Sequence, residues 1–130
     1  MKEQQLSFNT AKLAKEKGFE SYSEDFYWNE TGKFETSLSG IINDDTVTKT
    51  YSQGLLQKWL RETHKITVES NYLPNIQKYR CFYKPMSIIP KTFKNRTEYG
   101  LAVDRYYSKT NHNTYEEALE EGLQKALNLI

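Results

Sequence analysis

The sequence predicts an α+β fold of two layers, with helices packed on one face of an antiparallel β-sheet. Three observations carry that expectation. Apolar residues recur at helical spacing in three segments, each opened by a residue suited to cap a helix. Between those segments lie runs rich in aromatic and β-branched residues, and 10 Tyr, 6 Phe and 2 Trp among 130 residues suit half-buried strands. The connections between the runs are short, which favours antiparallel neighbours. The expected order is α-β-β-α-β-β-β-α in a single domain over residues 1–130, with a helix and hairpin in 1–50 and an α-β-β-β-α core in 51–130.

The first helix is expected over Phe8 to Lys17. Ser7 is placed to cap it, Leu6 and Ala11 to staple it, and Gly18 to end it in the left-handed conformation with Phe19 folding back. Phe26-Tyr27-Trp28 and Lys33-Phe34-Glu35 flank a turn in which Gly32 supplies a positive φ, a hairpin pattern. Leu38 to Lys49 reads as irregular, with Asp44-Asp45 as a turn. The second helix runs from about Tyr51 to His64, with Thr50 and Gln53 at capping-box spacing and a stripe of Leu55, Leu56, Trp59, Leu60 and Thr63.

Ile66 to Tyr72 alternates as a strand, and Lys78 to Met86 and Glu98 to Tyr107 read as two longer ones, separated by a loop over Pro85 to Thr97. The last helix opens with the capping box Thr114-x-x-Glu117. Ala118, Leu119, Gly122, Leu123, Ala126, Leu127 and Ile130 form its apolar face, and its glutamates load the positive end of the helix dipole. Gly122 on that face marks a close approach to the sheet. Leu119, Leu123, Ala126 and Leu127 are expected to pack on Ile66, Val68, Leu101 and Val103.

Several kinds of chemistry lack their residues. Cys81 is the only cysteine, so neither an internal disulfide nor a Cys-only zinc site is possible, and its place in an aromatic strand suits a small buried residue. The two histidines, His64 at a helix end and His112 in a polar turn, are expected to cap or to face solvent. Asp44-Asp45 lacks the pattern of a calcium loop, and the scattered glycines make no phosphate-cradling loop. No catalytic residue, metal or cofactor is therefore expected, and the protein is expected not to be an enzyme. No apolar run is long enough to span a membrane, and the polar start Met1-Lys2-Glu3-Gln4-Gln5 has no signal-peptide core, so a cytoplasmic protein is expected.

Charge is unevenly spread. Residues 1–50 carry 6 basic and 9 acidic side chains, residues 51–110 carry 11 and 4, and residues 111–130 carry 1 and 4. From Lys78 to Arg96 there are six basic residues, no acidic one, and interleaved Tyr79, Phe82, Tyr83 and Phe93. Strand alternation places Tyr79, Cys81 and Tyr83 toward the helices and leaves Glu69, Arg80, Phe82, Lys84, Asp104 and Tyr106 on the other face. Arg80, Phe82, Lys84 and Tyr106 are the candidate partner surface, for a protein partner or for self-association. The N-terminal aromatics Phe26, Trp28 and Phe34 are the alternative cover for that face. Nucleic-acid binding is the alternative function, with Lys84, Lys91, Lys94 and Arg96 as candidate phosphate contacts.

The element order from Tyr51 to Ile130 resembles that of a double-stranded-RNA-binding domain. That fold sets lysines on phosphates at the start of its last helix, where this chain has Tyr115, Glu116 and Glu117, so the likeness carries architecture and not binding. Gln57-Lys58-Trp59-Leu60-Arg61-Glu62 with His64 and Ile66, and Thr114 to Glu120 with Gly122-Leu123, look like motifs of another group. They resemble small uncharacterised proteins encoded by gut Bacteroides-type bacteria and their phages or prophages. Lys15-Glu16-Lys17-Gly18-Phe19 and the Gly32-Lys33 hairpin are similar too. The resemblance implies a compact phage-associated domain of unknown activity in a bacterial host and supplies no functional residues. A phage or mobile-element protein of this size without the residues of any chemistry is expected to act by protein–protein interaction.

Overall fold

Among the described residues, the α-helices begin where a side chain can satisfy one of their first amides. The computed structural model describes residues 4–36 and 46–130 and has an α+β fold with two small antiparallel sheets. Its contacts divide the chain into two compact units, Met1–Leu56 and Gln57–Ile130.

In the first unit, helix α1 (Phe8–Glu16) starts at Ser7, whose hydroxyl accepts from the Thr10 amide at 3.3 Å. Leu6 and Ala11 are both buried, as a staple requires. Gly18 takes φ 94°, and the amides of Gly18 and Phe19 bond back to Lys15 and Ala14, so the helix ends in the expected left-handed turn. Strands β1 (Phe26–Trp28) and β2 (Phe34–Glu35) form the expected hairpin, with Gly32 at φ 70°. The region read as irregular contributes a third strand, β3 (Val47–Lys49), which pairs antiparallel with the free edge of β1 and buries Val47 and Thr48. The turn expected at Asp44-Asp45 lies outside the described residues. Helix α2 (Gln53–Thr63) begins two residues later than expected. Ser52 caps it by accepting from the Leu55 amide, while Thr50 is buried and donates to the Leu6 carbonyl.

The second unit is built on a long hairpin. Strands β4 (Ile66–Leu73) and β5 (Lys78–Pro85) pair antiparallel from Ile66↔Pro85 to Leu73↔Lys78. Pro74 presets the turn, the Ile76 amide closes it onto the Leu73 carbonyl, and Gln77 turns the chain back at φ 53°. Tyr106 to His112 runs along the other side of β5. Tyr79 and His112 exchange two backbone bonds of 2.8 Å, the Ser108 amide bonds Cys81, and the Tyr83 amide bonds Tyr106. Strand β5 is therefore central.

The expected strand over Glu98 to Tyr107 is instead helix α3 (Arg96–Asp104). Asn95 accepts from the Glu98 amide at 2.9 Å and the Glu98 carboxylate accepts from the Lys94 amide at 3.2 Å, a cap that outweighs the alternating pattern. Leu101 is consequently 72% exposed and does not meet the core, whereas Val103 is buried.

Helix α4 (Tyr115–Leu127) starts at Thr114 as expected and packs on both β4 and β5. It buries Ala118, Leu119, Gly122, Leu123, Ala126 and Leu127. A Cβ on Gly122 would lie 2.9 Å from Val68 Cγ1 and 3.1 Å from Cys81 Cβ. Leu123→Ala should lower stability by about 2–5 kcal/mol in urea unfolding, since Leu123 is fully buried. Gly122→Ala should also destabilise, by about 1–3 kcal/mol, because overpacking exceeds the ~1 kcal/mol gain in helix propensity. A stabilised Gly122→Ala variant would show that the helix is free to move off the sheet.

Candidate functional site

The two faces of the second unit's sheet carry different chemistry. Side chains alternate along a strand, so Thr67, Glu69, Asn71 and Leu73 share a face with their partners Lys84, Phe82, Arg80 and Lys78. Val68 and Cys81, which meet Gly122, fix the opposite face as the one under α4. Arg80, Phe82 and Lys84 thus lie together on the face away from α4, as the alternation predicts.

The fourth expected member, Tyr106, does not join them. It is only 6% exposed and packs edge-on to Tyr83 at 6.0 Å, on the α4 side, with its hydroxyl accepting from Arg105. Tyr107 takes its place, paired across from Phe82. The Phe82 and Tyr107 rings lie 4.5 Å apart at 31°, and the Arg80 guanidinium sits 4.3 Å from the Tyr107 centroid. Alternation counted through α3 misses this because a helix does not preserve a strand's two-residue period. A one-residue offset moves a side chain to the other face. Asp104, also expected on this face, is the exposed last residue of α3.

The expected phosphate contacts are less uniform than their spacing suggests. Lys84 donates to the Ile88 carbonyl at 2.6 Å and lies 5.8 Å from the Tyr99 ring, which packs on Phe93. Lys91, Lys94 and Arg96 are exposed on the approach to α3, and the Glu98 carboxylate is bonded to the Lys94 amide among them.

Under α4 lies a polar cluster that the sequence did not announce. Ser108 Oγ stands 2.6 and 2.7 Å from the two oxygens of Glu121, and His112 Nε2 stands 2.8 Å from Oε1. An ionised carboxylate only accepts, so both neighbours donate to it. Ser108 Oγ in turn accepts from the Thr110 amide. Partial burial pushes the Glu121 carboxyl up, but the hydrogen bonds from Ser108 and His112, with attraction to His112 and Lys125, bring it below its ordinary value. Cys81 is fully buried beside this cluster. Desolvation, and next the nearby Glu121 charge, push its thiol up to about 11 against opposing hydrogen bonds from Ser108.

This arrangement fastens the chain more readily than it reacts. A nucleophilic serine needs a base near neutral pKa as its acceptor, usually a histidine oriented by an acid. Here the acid stands between serine and histidine and is a weakened base. A thiol held neutral is a poor nucleophile. His64 stands apart from the cluster in sequence and packs edge-on to Trp59 at 4.6 Å. A histidine nine residues before a helical glutamate has no recognised signature, so sequence reasoning could not pair His112 with Glu121.

Two outcomes follow from the cluster. Because the folded carboxyl of Glu121 titrates below its ordinary value of 4.5, its stabilisation is present above that value and lost as pH falls through the lower one. Thermal melts from pH 7 to pH 3 should therefore show a shallower acid decline for Glu121→Gln than for the unmodified chain. Parallel declines would remove the cluster from the stability of the unit. Cys81 should react with a thiol reagent only at the rate of unfolding, and fast labelling of the native chain would contradict its burial.

Among the described residues, no three His, Cys, Asp or Glu side chains converge as metal ligands, and no helix is long and apolar enough to cross a membrane. No protein-family model, curated protein or solved structure matches the chain.

Proposed function

We propose that the second unit is a non-enzymatic protein-binding module whose contact surface is the sheet face of Arg80, Phe82, Lys84 and Tyr107. The observation that carries this reading is the row in which a guanidinium and two aromatic rings pack on one another over β5. Arginine and aromatic rings are the residues favoured at interface centres, and side chains already packed lose little freedom on binding. Six basic and no acidic residues between Lys78 and Arg96 favour a partner that presents carboxylates around an apolar centre.

The same charge suits nucleic acid, but the strand's own cations are engaged locally. Lys78 is bonded to Asn113, Lys84 to the Ile88 carbonyl, and Arg80 stacks on Tyr107. Those bonds bear on a carboxylate and a phosphate alike, so it is the packed pair of Phe82 and Tyr107, suited to the apolar centre of a protein interface, that favours the protein reading. The motif resemblance to phage-associated proteins supports an accessory role in the bacterial cytoplasm, for a phage or mobile element.

The test is affinity capture from host cells with the unmodified chain and with Arg80→Glu, with and without nuclease and at low and high salt. The expected result is a protein partner that survives nuclease and is retained roughly tenfold less by Arg80→Glu, a difference of about 1.4 kcal/mol, with unchanged circular dichroism. Equal retention by both chains would overturn the reading. Retention that vanishes with nuclease, and falls by orders of magnitude with salt, would assign Lys84, Lys91, Lys94 and Arg96 to phosphates instead.

A further inference from the structure

The outer edge of β4 is a second surface, chemically distinct from the face of Arg80 and Phe82. Its backbone phase follows from bonds on the far side of β5. Tyr79, Cys81 and Tyr83 spend their amides or carbonyls on the Tyr106 to His112 segment. Antiparallel strands alternate the direction of these groups, so Lys78, Arg80, Phe82 and Lys84 are the residues of β5 that bond β4. Their partners Leu73, Asn71, Glu69 and Thr67 face inward. Ile66, Val68, Ser70 and Tyr72 therefore turn their amides and carbonyls outward. One bond checks this independently: Gln57 Nε2 donates to the Val68 carbonyl at 2.6 Å, from outside the hairpin.

Among the described residues, no strand or bridge pairs with this edge. Gln57 occupies it at Val68, and Pro74, which has no amide hydrogen, ends it. The open stretch is Glu69–Leu73, and its middle residue is Asn71. It holds no lysine, proline or bulge of the kind that guards an exposed edge. Tyr72 beside it is 50% exposed.

We propose that β4 pairs with β4 of a second copy of this chain, antiparallel and centred on Asn71, so that two hairpins share one continuous sheet. About a two-fold axis at Asn71 the window is in hydrogen-bonding phase with its own copy. Ser70 meets Tyr72 of the second copy and Tyr72 meets Ser70, so each outward amide finds an outward carbonyl. Asn71 then faces Asn71 in a non-hydrogen-bonded pair, with Cα atoms about 4.5 Å apart. Glu69 comes into register with Leu73 of the second copy, whose own hairpin partner is Lys78, so opposite charges approach across the new seam. A two-fold axis normal to the sheet puts both Arg80–Tyr107–Phe82 rows on the same side.

Light scattering during gel filtration should give a mass twice the 15.3 kDa of the chain. Tyr72→Pro removes one outward amide and leaves the β4–β5 bonds intact, since those are made by Thr67, Glu69, Asn71 and Leu73. It should give a monomer with an unchanged circular dichroism spectrum, whereas Tyr72→Ala, which keeps the amide, should still dimerise. Asn71→Cys provides a readout that needs no loss of structure. Mild oxidation should cross-link it as a dimer, because the facing Cα atoms fall within disulfide range and Cys81 is buried. A monomer at every attainable concentration would overturn the proposal and leave the edge to an extended segment of another protein. A dimer that survives Tyr72→Pro, or that fails to cross-link through Asn71→Cys, would overturn it as well.

Discussion

The second unit depends on how near α4 can come to its sheet. Gly122 sets that distance, because the helix backbone there stands where a Cβ would overlap Val68 and crowd Cys81. Ala118 and Ala126 lie one turn to either side, so the helix presents a ridge of small residues at i, i+4 and i+8 to the strands. Leu119, Leu123 and Leu127 form the neighbouring ridge, and all three are buried. The complete burial of Cys81, and with it the neutrality of its thiol, follows from this approach. So does the position of Glu121, which stands next to Gly122 at the rim of the contact and reaches Ser108 and His112.

That reach organises the rest of the unit. The Tyr106 to His112 segment has too few regular bonds to hold as a strand by itself, yet it is tied on two sides. Its backbone bonds β5 at Tyr106, Ser108 and His112, and its side chains bond α4 through Glu121. Holding this segment in place is what aligns Tyr107 with Phe82 and Arg80. The polar cluster on one face of the sheet therefore positions the aromatic row on the other, and the chain needs no regular third strand to do it.

What could be read from the sequence was what local chemistry decides. Ser7, Gly18 and the Thr114–Glu117 box mark helix ends because each satisfies backbone groups within a few residues. The faces of β4 and β5 follow from alternation along unbroken strands, and Gly122 on an apolar helix face is legible as a close approach. The segment from Asn95 to Tyr107 supports two patterns at once. Tyr99, Leu101 and Val103 alternate, while Tyr99, Ala102, Val103 and Tyr106 recur at helical spacing behind an Asn95-x-x-Glu98 cap, and only the second keeps every member from full exposure, with Val103 and Tyr106 buried and Tyr99 and Ala102 half-buried. Within the candidate surface, Arg80, Phe82 and Lys84 were legible and Tyr107 was not. Its place depends on how an irregular segment registers against β5, and that register is set by contacts distant in sequence.

The approach at Gly122 also shapes how such a chain can change over generations. Any side chain at 122 needs room that Val68 or Cys81 must give up, and both already belong to a filled interior. Neither neighbour gains by shrinking first, since a smaller residue beneath glycine leaves a void. Each single step away from the present trio therefore passes through a less stable protein, although a double step can restore the fit. Residues 68, 81 and 122 are coupled through one packed contact, so a chain that replaces this glycine should need a compensating substitution in one of the two strands below it.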